Sequence, residues 1–289
     1  MTPPELAVSI VTPAALGWLR NSPATRATRW EALVQDASIA RWLATFEPTH
    51  LYFGSEFCEH LLPSPSVLAS VLDLADEHAL RFVLLTPIAS PQVLRNLAAL
   101  LPQLPPSAQI VVNDWGVAQF VAEQAPQLTR LAGRILCRMI KDPRLGSADW
   151  AHQCSHALDS PHLRTILDRL GLHHIELDVP LFAQPGDFSR LPMRKSVHLP
   201  YAFVAKGRMC RPGSLSITGP ERFAVGRKCH KECLSFSATT VRPRASDQWD
   251  TIHAGNTIFS RHSPSMVDAV IDATAAGAVQ RLVVPGEMF

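Results

Sequence analysis

Nine short runs of β-forming residues recur along this chain, and their rhythm restricts the fold more than any other feature of its 289 residues. They are Leu6–Val11, His50–Gly54, Arg81–Thr86, Gln109–Asn113, Arg134–Cys137, His173–Asp178, Lys195–Leu199, Thr251–Asn256 and Arg281–Pro285. The runs near 50, 81 and 109 are almost continuously apolar, as strands buried on both faces are. Between them, Ser64–Ala79 and Ser90–Leu101 carry apolar residues at helical spacing. Strands alternating with helices predict a parallel sheet. Eight or nine such units in this length predict one α/β domain over 1–289, a TIM-barrel-like (β/α) barrel. An open doubly wound sheet is the alternative, but no G-x-G-x-x-G follows a strand, so its dinucleotide-binding form lacks support.

One stretch breaks the rhythm. From Tyr201 to Arg244 there is no clean βα unit, and three of the six cysteines fall within it. A long irregular insertion in a compact domain is usually functional or disordered, and the cysteines favour function. Between Arg190 and Lys231 stand ten Lys or Arg, at 190, 194, 195, 206, 208, 211, 222, 227, 228 and 231, against one acid, Glu221. Such a run reads either as a solvated loop or as a positive field around an anionic substrate, RNA or a negatively charged cluster.

With 47% hydrophobic and 18% charged residues, the chain has material for a large core and is not composed like a disordered one. A net charge of +2 selects no partner. No apolar run approaches the roughly 18 residues of a membrane span. The opening MTPPELAVSIVTPAALGW has neither the basic start nor the small-residue cleavage site of a secretion signal. These features predict a cytoplasmic protein with reduced thiols, so its cysteines need an explanation other than disulfides.

Cys229 and Cys233 form C-x3-C in RKCHKEC, Cys210 precedes them in KGRMCRP, and Cys58 in FGSEFCEH lies just past the second predicted strand. In a parallel barrel every strand's C-terminal end opens on one face, so Cys58 and the insertion can meet there. Four thiolates suit zinc or an iron–sulfur cluster, and spacing alone leaves both open, although zinc ligands usually come as two C-x2-C pairs. His230 could stand in for one ligand. Cys137 reads as a core residue. Cys154, flanked by His152 and His156, reads as a surface residue or as a separate small metal site.

Polar residues at strand ends are the other candidates for ligand contact: Glu56, Asn113, Asp114, Arg138, Lys141 and His198. Arg138 and Lys141 could clamp a carboxylate, as a planar fork and a point charge. Asp114 reads equally as a helix cap. Glu176 and Asp178 read as members of a barrel-mouth ion pair.

The cysteine-bearing segments carry a resemblance. HLYFGSEFCEH resembles the YLGE-x-x-C segment of the UbiV proteins, QIVVNDWGVAQF is similar to their next shared segment, and HLPYAFVAKGRMC resembles their HLPLAYSARC. KCHKEC matches their paired C-x3-C, and the order agrees from about residue 45 to the end. These proteins belong to the UbiU/UbiV group of the collagenase-like peptidase U family. The resemblance implies a 4Fe–4S cluster on Cys58, Cys210, Cys229 and Cys233, and oxygen-independent hydroxylation in ubiquinone biosynthesis under anaerobic conditions. It also implies a heterodimer with a homologous UbiU-like subunit, a small anionic or aromatic substrate and a lipid-carrier accessory protein. A non-catalytic cluster-carrying partner of a homologous enzyme, or an RNA-base hydroxylase, are the competing readings. The glycine-and-cysteine signature of the peptidase and RNA-modifying branches is missing, which disfavours proteolysis and RNA. The gap from Cys210 to Cys229 is also longer than in typical UbiV chains.

Overall fold

Five helices open on the same dipeptide. Ser22–Pro23, Ser64–Pro65, Ser90–Pro91, Ser160–Pro161 and Ser263–Pro264 each place Ser at the N-cap and Pro at the first helical position. Proline at that position gives up an N–H that had no partner, and a serine oxygen can take one of the remaining orphan donors. Four of the five serines do so, accepting from Thr25, Val67, Val93 and Met266 N–H groups. Helix starts are thereby fixed locally, and each helix packs its apolar stripe on a strand layer.

A computed structural model describes residues 3–137, 139, 147–153, 157–207, 209–223, 229–240 and 251–287. Eight parallel strands close into a barrel: β1 Glu5–Ile10, β2 Pro48–Gly54, β3 Arg81–Leu85, β4 Gln109–Val112, β5 Thr129–Ala132, β6 His174–Leu177, β7 Arg194–His198 and, last in the chain, β12 Arg281–Pro285. Their order is β1-β12-β7-β6-β5-β4-β3-β2. The predicted α/β barrel is the fold. The main core lies between strands and helices and includes Leu6, Val8, Trp30, Leu51, Leu84, Ile110 and Ile175. A smaller apolar cluster with Ala7, Tyr52, Val83, Val111 and Val283 fills the barrel interior.

Between β7 and β12 the chain leaves the barrel through a cis Leu199–Pro200 bond. It forms a four-stranded antiparallel sheet of β8 Tyr201–Lys206, β9 Ser237–Thr240, β10 Thr251–Ala254 and β11 Thr257–Arg261, in the order β8-β11-β10-β9. The insertion is therefore framed by strands and runs past Arg244, to Arg261. Among the described residues of its cysteine-bearing middle are three short 3-10 turns, Pro212–Ser214, Pro220–Phe223 and Glu232–Leu234. The predicted strand at Thr251–Asn256 belongs to this sheet and not to the barrel. Phe57, Tyr201 and Phe259 form the buried cluster between sheet and barrel mouth, with Phe203 and Ile252 against it.

The predicted strand at Arg134–Cys137 is a correction. The strand is Thr129–Ala132, in register with Gln109–Val112, and the chain then turns at Gly133. Leu136 and Cys137 N–H groups both donate to the Gly133 carbonyl. A side chain at Gly133 would run into the Asn113 amide. After Gly133, Ile135 packs against the Phe57–Tyr201–Phe259 cluster, Leu136 and Cys137 join the core between strands and helices, and Arg134 is left at the mouth.

Candidate functional site

Four loops build the mouth. Ser55 Oγ accepts from the Phe57 and Cys58 N–H groups at 3.2 and 3.1 Å, a tight turn that aims Glu56 inward and sets Cys58 on the rim. Arg134, after β5, meets Glu56 through a two-pronged contact of Nε and Nη2, and its Nη1 donates to Asp178 Oδ1 at 2.8 Å. The guanidinium lies 5.4 Å from the Phe57 ring centre and 5.8 Å from that of Phe203. All three charged groups are buried. Desolvation works against the Arg134 charge, but the two carboxylates outweigh it and its pKa is raised.

Beneath the mouth a polar chain occupies the barrel interior. Glu176 Oε2 bonds His198 Nε2 at 2.6 Å, and Tyr52 Oη donates to Glu176 Oε1 at 2.8 Å. Arg281 Nη1 donates to Tyr52 Oη at 2.9 Å, Nη2 to His50 Nε2 at 2.9 Å and Nε to Glu5 Oε2 at 2.8 Å. Burial would raise the Glu176 carboxyl. The His198 hydrogen bond and the positive charge around it prevail and hold its pKa at about 2. Glu176 is thus an ionised carboxylate inside the barrel, pointed at His198.

The cysteines converge on the rim. Cys210 and Cys233 are in side-chain contact, which lowers the pKa of Cys210 and raises that of Cys233. Burial foremost, and then the neighbouring Cys229 and Cys210 sulfurs, hold the Cys58 thiol up. Cys233 feels the charges of all three others. The Lys231 N–H donates to the Cys229 sulfur at 3.4 Å. Gly255 stands at φ +60°, where a side chain would be strained, and a Cβ added there would lie 3.5 Å from the Cys233 Cβ. Among the described residues no three His, Cys, Asp or Glu side chains are drawn in tightly enough to hold a single metal ion.

A cavity of about 160 Å³ lies between the cysteine rim and the barrel interior. Cys58 and Cys233 border it on one side, and His198, Leu85 and Val283 on another. Phe57, Tyr201 and Phe259 supply aromatic wall, and Asn256 ties the sheet to the rim by donating from Nδ2 to the Phe57 carbonyl at 2.8 Å. An apolar protein cavity of about this size accommodates one benzene ring.

Of the candidates read from sequence, Glu56 and His198 line this cavity. Asn113 is buried and wholly used by the backbone: Nδ2 donates to the Thr86 carbonyl and Oδ1 accepts from Ile135 N–H. Asp114 is a helix cap, accepting from Gly116 and Val117 N–H groups. Glu176 and Asp178 do not pair with each other; one holds His198 and the other Arg134. Arg138, Lys141 and Cys154 lie outside the described residues. Cys137 is a core residue, as expected. The basic run divides: Arg194 pairs with Glu5 at the opposite end of the barrel, and Lys195 is buried with its ammonium on the Leu191 and Met193 carbonyls. Lys206, by contrast, senses Cys58 and Asp114 at the mouth. Arg134 and Tyr52 were missed, the first because it sat inside a presumed strand and the second because it reads as ordinary strand filling.

Neither a family model nor a curated protein sequence matches the chain. Solved structures with similar barrels include the spore cortex-lytic enzyme SleL of Bacillus megaterium QM B1551, at 9% identity and a TM-score of 0.40 over 98% of this chain and 70% of that one. Another is a glycoside hydrolase family 18 N-acetylglucosaminidase from Paenibacillus barengoltzii, at 10% identity and a TM-score of 0.35 over 97% of this chain and 94% of that one. Likeness this remote carries no argument about activity. No described helix is long and apolar enough to cross a membrane.

Proposed function

We propose that this chain holds a 4Fe–4S cluster on Cys58, Cys210, Cys229 and Cys233 and supports oxygen-independent hydroxylation of a small aromatic ring in ubiquinone-type synthesis, beside a homologous UbiU-like subunit. The observation that carries it is convergence: a thiol after β2 and three from the insertion after β7 lie within electrostatic reach of one another beside a ring-sized cavity. The donor set fits the group. Tetrahedral zinc, with Zn–S near 2.3 Å, needs its sulfurs about 3.8 Å apart. Four thiolates suit either group, and the resemblance to the UbiV proteins is what favours a cluster; the Lys231 N–H on the Cys229 sulfur is a contact of the kind cluster thiolates accept. With every iron capped by cysteine, the group would supply electrons one at a time and leave no position for substrate. Binding and orienting the ring fall to the cavity walls, and handling of protons to His198.

The RNA reading is weaker because phosphate binding needs a continuous basic surface, and described members of the basic run stand at opposite ends of the barrel. A purely supporting role for a catalytic homologue fits less well with a cavity that holds an oriented histidine.

Protein purified without air should be brown, with about four irons and four sulfides per chain when the site is full. Serine at any one of the four cysteines should remove most of that iron, while Cys154→Ser should leave it in place. Stoichiometric zinc with no acid-labile sulfide would overturn the assignment. The pathway is tested by quinone content in a deletion strain. Loss confined to growth without oxygen, and not rescued by Cys229→Ser, is the expected result; equal levels under both conditions would count against the hydroxylase.

A further inference from the structure

Glu176 is an expensive residue for a barrel interior. A carboxylate there costs several kcal/mol in lost hydration unless its lone pairs are satisfied. The sequence could have placed an aliphatic side chain at that position, as it does at Val83, Val111 and Val283 in the same interior. Instead β6 supplies Glu176, β2 supplies Tyr52 and β12 supplies Arg281, and the three connect end to end. Arg281 can only donate, so Tyr52 Oη accepts from it and must donate its own proton to Glu176. Glu176 then has its second oxygen left for His198.

That arrangement fixes the imidazole. An ionised carboxylate accepts, so His198 Nε2 carries a proton and the neutral ring has its lone pair on Nδ1. No described protein group is bonded to Nδ1, and the ring borders the cavity. Nearby titratable groups are already engaged. Glu56 is held by Arg134, and Glu287 accepts from the Val11 and Thr12 N–H groups. Tyr52 lies beneath Glu176, and Cys58 and Cys233 belong to the rim. Of these groups His198 has a ring nitrogen to offer to the cavity.

We infer that His198 is the proton acceptor of this cavity, taking the hydroxyl proton of a bound phenol on Nδ1, with Glu176, Tyr52 and Arg281 as positioning residues. The ligand's O–H bond breaks and an N–H bond forms. A phenolate and an imidazolium result, and the second is stabilised by the Glu176 carboxylate 2.6 Å from Nε2. No oxidant or reductant takes part. This goes beyond the cluster assignment and stands on the barrel interior alone, so either can fail without the other.

The probe is 4-nitrophenol, whose phenolate is coloured and whose phenol is not. Bound to the full chain, with spectra taken against protein without probe, it should ionise at least one pH unit below the free compound. That is a phenolate-to-phenol ratio about tenfold higher than for the free compound at the same pH. His198→Gln should abolish the shift. Glu176→Gln, which keeps the shape of the buried chain, should cut it at least threefold while the probe still binds. Tyr52→Phe, which removes one bond to Glu176, should do less. Binding with no shift, absence of binding, or a shift that survives His198→Gln would each overturn the proposal.

Discussion

Replacing Arg134 by Met should lower the unfolding free energy by about 3–5 kcal/mol, the usual cost of removing one partner from a buried ion pair. Here two buried carboxylates, Glu56 and Asp178, lose at once the guanidinium that pairs with both of them. The loss is not about the pair's net attraction, which desolvation largely offsets. It comes from leaving charges stranded, so the companion variants discriminate. Arg134→Met combined with Glu56→Gln and Asp178→Asn should recover most of the stability, because nothing charged is then buried without a partner. Arg134→Lys should fall between, since an ammonium cannot reproduce the fork onto Glu56. Urea midpoints at constant slope would measure the series. The same change should reduce iron retention, because Glu56, Phe57 and Cys58 share one turn and Arg134 clamps two of them to the barrel. A midpoint for Arg134→Met equal to that of the unaltered chain would mean that these carboxylates are solvated, contrary to their burial.

Arg134 also illustrates what the sequence makes legible. The barrel could be read because strands buried on both faces, such as Leu51–Phe53 and Phe82–Leu85, leave uninterrupted apolar runs. Cys58 and the C-x3-C pair could be placed together because parallel strands all end on one face. The stretch GRILC misled for the same reason that the others succeeded: it is apolar, yet its apolar residues pack into the outer core and the aromatic cluster from a turn and do not extend a strand. What prevents extension is a long-range fact, the Asn113 amide bonded to Ile135 N–H across the mouth, and no local pattern announces it. Asn113 therefore looked like a ligand contact while serving as a brace. The interior chain is hidden more deeply. Tyr52, Glu176, His198 and Arg281 come from four strands, and their alignment depends on register across the closed barrel. The Ser–Pro pairs, by contrast, mark five helix starts in plain sight.

Acid should unfold this protein early, through two histidines remote from the cysteines. His50 and His174 are buried at the closed end of the barrel, and burial foremost, with the Arg281 charge nearby, lowers their pKa values from 6.5 to about 3 and about 4. His50 must be neutral on its Nε2, because that nitrogen accepts from Arg281. The unfolded chain therefore binds two more protons than the folded one between those values and pH 6.5. Stability then falls as pH drops, by about 1.4 kcal/mol per unit for each histidine. From pH 6.5 to 4 the two together amount to about 5 kcal/mol, comparable with the whole stability of a marginal domain at about 5–15 kcal/mol. Glu176 and Glu5 act in the same direction but later. Their pKa values are held at about 2 against an ordinary 4.5, so their contribution is complete above pH 4.5 and fades below it. Denaturation midpoints should show a slope that rises from well under one proton near pH 7 toward two protons near pH 5. His174→Gln should reduce that slope to about one, keeping a partner for Ser196 without the titration. Cys229→Ser should leave the slope unchanged, which separates this effect from acid loss of a cluster. Stability that stays level from pH 7 to 5 would show that the closed end of the barrel admits water and protonates as freely as the unfolded chain.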